Sequence, residues 1–182
     1  MDDKLDRKGL IIINGSMCFT DIEREELQQV FELNNMNILF LEQRGIQNSI
    51  FDGIEIILNN NLFNLVAGGL LMPAAYDALK KGLVFVIKKI KYSNAKILRA
   101  NKDLEQTNIV IKIKTDNGEI IASINRELSE KEVEEYIQAM IAASKIIKGT
   151  DKKDYYYIID KNTDDSLEIL SLSSYLKKHN KI

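Results

Sequence analysis

The chain has 182 residues, 45% hydrophobic and 29% charged, which is enough apolar material for a sizeable core and too much for a disordered chain. Its formal net charge of −2 argues against a general nucleic-acid binder, which needs a basic surface, so no nucleic-acid partner is expected. A single cysteine, Cys18, excludes an intrachain disulfide and suits a reducing cytoplasm.

The first eight residues are charged with mixed sign and lack the apolar stretch of a signal peptide, so the expected location is cytoplasmic. Gly9 to Ile13 is a short isoleucine-rich run that predicts a strand, ended by Asn14-Gly15-Ser16. Thr20 and Glu23 make a capping box ahead of a helix with Leu27, Val30 and Phe31 on one face. That helix frays near Asn34-Asn35, and Asn37 to Leu41 predicts a second strand. Strand, helix and strand in this order suggest a parallel βαβ unit.

A mostly helical middle is expected from about Asp52, a candidate N-cap, to about Asn101. Asn59-Asn60-Asn61 would break or cap its first short helix. Next comes Leu65-Val-Ala-Gly-Gly-Leu-Leu-Met-Pro-Ala-Ala75, with a glycine pair and the only proline. This stretch is about half the ~20 apolar residues a membrane span needs. It lacks the lysine and serine or threonine of a phosphate loop. The residue four before Pro73 is Gly69, so a proline-kinked helix tightly packed through Gly68 and Gly69 is expected, with the pair buried.

Gly82 then starts or bends a helix running toward Ala100, with Leu83, Val86, Ile87, Ile90 and Ile97 as its apolar stripe. Lys81, Lys88, Tyr92 and Arg99 fall on the opposite side. Charge is uneven along the chain: −6 over residues 1–60, +6 over 61–100 and −2 over the rest. The basic face is therefore a candidate interaction face for an acidic partner or an anionic lipid surface. The acidic first third could supply the complement, within the chain or between copies. Few aromatics interleave the lysines, which weighs against stacking on single-stranded nucleic acid.

Ile109 to Thr115 alternates, Asp116-Asn117-Gly118 is a hairpin turn signal, and Glu119 to Ile124 is the return strand. Ser129 and Glu132 form a second capping box for a helix to about Lys148, stopped by Gly149. Residues 148–154 look like a linker. It leads to a C-terminal arm (151–182) with an edge strand at Tyr155–Ile159, a polar loop over Asp160 to Ser166, Leu167 to Leu172 as another strand or a helix start, and a short helix ending before His179.

Catalytic chemistry is sparse. Cysteine catalysis needs a histidine base, and His179 is the only histidine. Two Cys or His residues in all leave no zinc set, and no cofactor motif is present, so no cofactor or metal is expected. The tail acids Asp151, Asp154, Asp160, Asp164 and Asp165 do not form an EF-hand loop and predict a solvated loop.

One family has this order of parts. The acidic helix Asp21 to Glu32 lies between two strands. Leu65-Val-Ala-Gly-Gly-Leu-Leu71 runs into a basic helix. The hairpin Ile109 to Ile124 and the acidic helix Ser129 to Met140 follow. Over residues 9–148 the chain resembles the effector-associated constant component domain of bacterial conflict systems. That family's basic helix is rich in tryptophan and arginine, whereas this one uses lysine and the chain has no tryptophan. The resemblance implies a non-catalytic accessory component working beside an effector enzyme, and carries over no catalytic residues.

The expected architecture is one α+β domain over residues 1–150, with a mixed sheet of about four strands, a helical glycine-containing middle and the C-terminal arm. The expected function is a non-enzymatic, self-associating binding or adaptor protein. The alternatives are a peripheral membrane protein using residues 65–97, and an enzyme with an unrecognised carboxylate site.

Overall fold

A computed structural model describes residues 9–42, 53–93, 96–97, 105–106, 108–115, 118–125, 127–148 and 155–179. Strand β1 (Gly9–Asn14) alternates buried and half-buried side chains, and a single 3-10 turn at Ser16–Cys18 follows it. Helix α1 (Asp21–Glu32) starts at the Thr20–Glu23 capping box, whose two reciprocal hydrogen bonds both form. Asn35, at φ 56°, turns the chain into β2 (Met36–Leu41), which pairs parallel with β1 as the strand–helix–strand order predicts.

The middle of the chain differs from expectation. Ile54–Leu58 is strand β3, not helix, and it lies at the heart of the sheet, between β1 and the strand that begins at Ile109. A short apolar run buried on both faces has no periodicity to separate strand from helix. Asn59 does cap a helix, but the following one, α2 (Asn60–Ala67). Its Oδ1 accepts from Leu62 N at 2.8 Å and also from Leu10 N at 3.0 Å, tying α2 to β1.

The glycine pair is a helix stop, not a buried kink. Leu70 N donates to Leu65 O at 2.9 Å and Gly69 N to Val66 O at 3.1 Å, with Gly69 at φ +65°. That is a Schellman motif, and positive φ is what requires glycine at this position. Gly68 and Gly69 are exposed, and a β-carbon at Gly69 would meet nothing within 4 Å. Pro73 is the first residue of helix α3 (Pro73–Tyr92), where a missing N–H breaks no helical bond. Gly82 lies inside α3 rather than at its start.

Two two-residue strands, β4 (Lys96–Ile97) and β5 (Glu105–Gln106), pair with each other, so Ile97 is not on the α3 stripe. Strand β6 (Ile109–Thr115) forms the expected antiparallel hairpin with β7 (Gly118–Ile124). The turn residues 116–117 lie outside the described residues. Helix α4 (Glu130–Lys148) begins at the Ser129–Glu132 capping box; Gly149 lies outside the described residues.

Strand β8 (Tyr155–Lys161) pairs parallel with β7, and β9 (Leu167–Ser171) pairs antiparallel with β8. Helix α5 (Leu172–Lys178) is the last element and stops just before His179. The main sheet therefore has seven strands, in the order β2-β1-β3-β6-β7-β8-β9, rather than about four. The class is α+β with a mixed sheet; β3 is not among the expected strands, β9 makes Leu167 to Ser171 a strand, and β8 is the expected arm strand, placed inside the sheet rather than at its edge.

One face of the sheet carries the main core. Ile11, Ile13, Ile54, Ile56, Ile109, Ile111, Ile113 and Ile120 pack there with Phe31, Leu79, Leu83, Ile87, Ile90 and Met140 from the helices. On the other face, Val110, Ile121 and Ile158 pack with Tyr175 of α5 in a smaller cluster. Glu55 faces that side too. It is 8% exposed, pairs with Lys112 of β6 and accepts from Asn14 Nδ2 at 3.1 Å.

Candidate interaction site between helices α1 and α3

Helices α1 and α3 carry opposite charge. Helix α1 has five acids against one arginine, a net of −4; α3 has one acid against five lysines, a net of +4. The distribution suits each helix dipole, with Asp21 and Glu23 in the first turn of α1 and Lys89 and Lys91 in the last turn of α3. Glu23 joins the two helices: it caps Thr20 and forms an ion pair with Lys89, whose Nζ lies 5.6 Å from the centre of the Phe85 ring. The hydrogen bond from Lys89, with that from Thr20 N, holds the Glu23 carboxyl below the ordinary carboxylate range.

The two helices touch at Gly82. A β-carbon there would stand 2.3 Å from Cζ of Phe31, a side chain with no exposed surface. Absence of a side chain lets the ring lie against the α3 backbone, so the sequence oddity at Gly82 is a packing contact. On its other flank α3 meets α4: Lys80 bridges Asp77 at 3.2 Å and Glu134 at 3.4 Å, and its Nζ lies 5.1 Å from the centre of the Tyr76 ring. These bonds, the one to Asp77 foremost, raise the Lys80 pKa.

Beside the Gly82 contact, α1 and α3 border a groove of about 500 Å³. Leu27, Val30, Ala74, Ala78 and Phe85 line it, with Glu23, Glu26, Asp77 and Lys81 as its polar groups. Val30 is thus 45% exposed at the groove instead of buried beside Leu27 and Phe31. Ile22 of α1 and Leu33 at its C-cap, outside the groove lining, are 68% and 86% exposed.

Of the candidate interaction face, Lys81, Lys88 and Tyr92 lie along the outer ridge of α3 and are exposed; Lys81 also lines the groove. Lys81 and Lys88 are seven residues apart, about 10.5 Å along the axis. Tyr92 is engaged elsewhere, since its hydroxyl bonds Glu127, which raises its pKa. Arg99 lies outside the described residues. The part played by α1 is not legible in the sequence, because its exposed apolar positions look like core positions until the facing helix is known.

Other chemically capable groups lie elsewhere. Cys18 is buried beside Ser93, whose Oγ is 3.3 Å from its Sγ, and burial pushes the thiol pKa up, which disfavours the thiolate. It follows β1, whereas His179 packs by β8 and β9. Four strand spacings of about 4.8 Å, roughly 19 Å, separate β1 from β8. Asp160 of β8 accepts from Lys178 Nζ at 2.9 Å and lies 3.0 Å from Nε2 of His179; Lys178 also pairs with Glu168 of β9. Burial acts to raise the Asp160 carboxyl, but these partners outweigh it and hold the pKa low. Asp164 and Asp165 line an acidic cleft with Glu134 and Glu135 of α4. Among the described residues, no group of three His, Cys, Asp or Glu side chains could hold a metal ion. No helix among them is long and apolar enough to cross a membrane. Compared with protein-family models, curated proteins and solved structures, the chain finds no match in any of the three.

Proposed function

We propose that this chain is a non-enzymatic binding or adaptor protein that docks an amphipathic helix in the groove between α1 and α3. The groove itself supports the reading most. It has an apolar floor, two acids on the α1 bank, Asp77 and Lys81 on the α3 bank, and Val30 exposed at its edge. Side chains of this kind gain by removal from water, and charged banks orient what docks between them. The resemblance to accessory components of bacterial conflict systems points the same way. Contact with an anionic membrane has weaker support. Leu70 and Met72 are exposed, but the stripe Leu83, Val86, Ile87 and Ile90 that would have to enter lipid is turned into the core.

Nile red, a neutral dye that brightens in apolar sites, tests the groove at sub-micromolar protein. Saturable fluorescence should appear and be lost when Ala78→Trp fills the floor, with the far-UV circular dichroism unchanged. No binding by a chain that sediments as a monomer, or binding indifferent to the tryptophan, would refute the groove as a docking site.

A further inference from the structure

We infer that the occupant of the groove is α1 of a second copy of this chain, in a two-fold symmetric dimer; this rests on the groove reading above. The surface is self-complementary, as a two-fold interface requires, because each copy presents both an acidic and a basic helix. The helix charges of −4 and +4 offset each other twice in such a dimer, once in each half. Spacing matches as well. Glu25 and Glu32, exposed on the outer face of α1, are seven residues apart, as are Lys81 and Lys88 on α3. Both pairs are therefore about 10.5 Å long, so one register satisfies both contacts. Within one chain the complement is only partly used: α1 gives Glu23 to Lys89 and α4 gives Glu134 to Lys80, while Lys81 and Lys88 stay exposed. The apolar contribution comes from Ile22, Val30 and Leu33, which would lie over the partner's groove.

The test is a pair of charge-swapped full-length chains, one with Lys81→Glu and Lys88→Glu, the other with Glu25→Lys and Glu32→Lys. Sedimentation should give wild type at twice the 20.8 kDa chain mass. Each swapped chain alone should be a folded monomer by circular dichroism. An equimolar mixture should return a 1:1 heterodimer, because the four contact positions 25, 32, 81 and 88 are then all acidic in one chain and all basic in the other. A monomeric wild type, or swapped chains that each still dimerise alone, would overturn the proposal. If a monomeric wild type binds Nile red in an Ala78-dependent way, only the second copy is overturned. If it does not, the groove reading falls with it.

Discussion

Replacing Gly82 by alanine sets two effects of opposite sign against each other. In an exposed helix interior, alanine is more stable than glycine by about 1 kcal/mol. At Gly82 the new methyl would stand 2.3 Å from Cζ and 2.8 Å from Cε2 of Phe31, where carbon atoms prefer about 3.5–4.0 Å. Phe31 has no exposed surface, so the ring cannot swing aside into water. Overpacking of this kind costs about 1–3 kcal/mol and more when the neighbour is rigid. Because Phe31 cannot relax, the clash should win, with a net loss of up to about 2 kcal/mol, or a fall in Tm of up to roughly 8 °C for a chain of this size. Urea unfolding of Gly82→Ala, Phe31→Leu and the double variant measures it. Leucine makes room for the methyl, so the double variant should be more stable than the sum of the singles, by about 1 kcal/mol. A rise in Tm for Gly82→Ala, or additive singles, would refute the close contact of α1 and α3.

Gly69→Ala should cost about 1 kcal/mol through backbone strain alone, since the position is spatially open, and Gly69→Asn should cost less in the same thermal melt. Lys112→Met leaves the Glu55 carboxylate buried without its cation. It should lower the urea-unfolding free energy by about 3–5 kcal/mol, while Lys112→Met with Glu55→Leu should recover most of the loss. The depressed pKa of Asp160 means that it releases its proton more readily in the folded chain. Its contribution is complete above the unfolded value, about 3.9, and is lost as pH falls through the lower folded value. An acid titration of stability should flatten in that range in Asp160→Asn, and an unchanged profile would show that the bonds from Lys178 and His179 do not hold in solution.

Where local chemistry decides structure, the sequence is readable. The two capping boxes, the alternation of Ile109 to Thr115 and the isoleucines of β1 report their own conformation. Strand β3 is hidden because Ile54-Glu-Ile-Ile-Leu58 is buried on both faces by its neighbours, which periodicity cannot reveal. Pro73 and Gly69, four residues apart, suggest one kinked helix, although proline just inside a start and glycine just past an end mark two helices. Tyr155 to Ile159 is legible as a strand but not as an interior one. Its position between β7 and β9 depends on the pairing of β9 and the cover supplied by α5, both remote from its own residues. The charge imbalance between α1 and α3 is legible from composition. That Lys89 and Lys80 are partnered while Lys81 and Lys88 face outward needs coordinates.

Carbodiimide cross-linking of a mixture of light and heavy-isotope chains tests the docking groove most directly, because it joins carboxylates to lysines already in contact. The fold alone predicts links within one chain, Glu23 to Lys89 and Glu134 to Lys80. The docking account predicts in addition light–heavy links joining Glu25 or Glu32 of one copy to Lys81 or Lys88 of another. If only the within-chain links form at concentrations where wild type sediments as a dimer, the α1–α3 surface is not the interface.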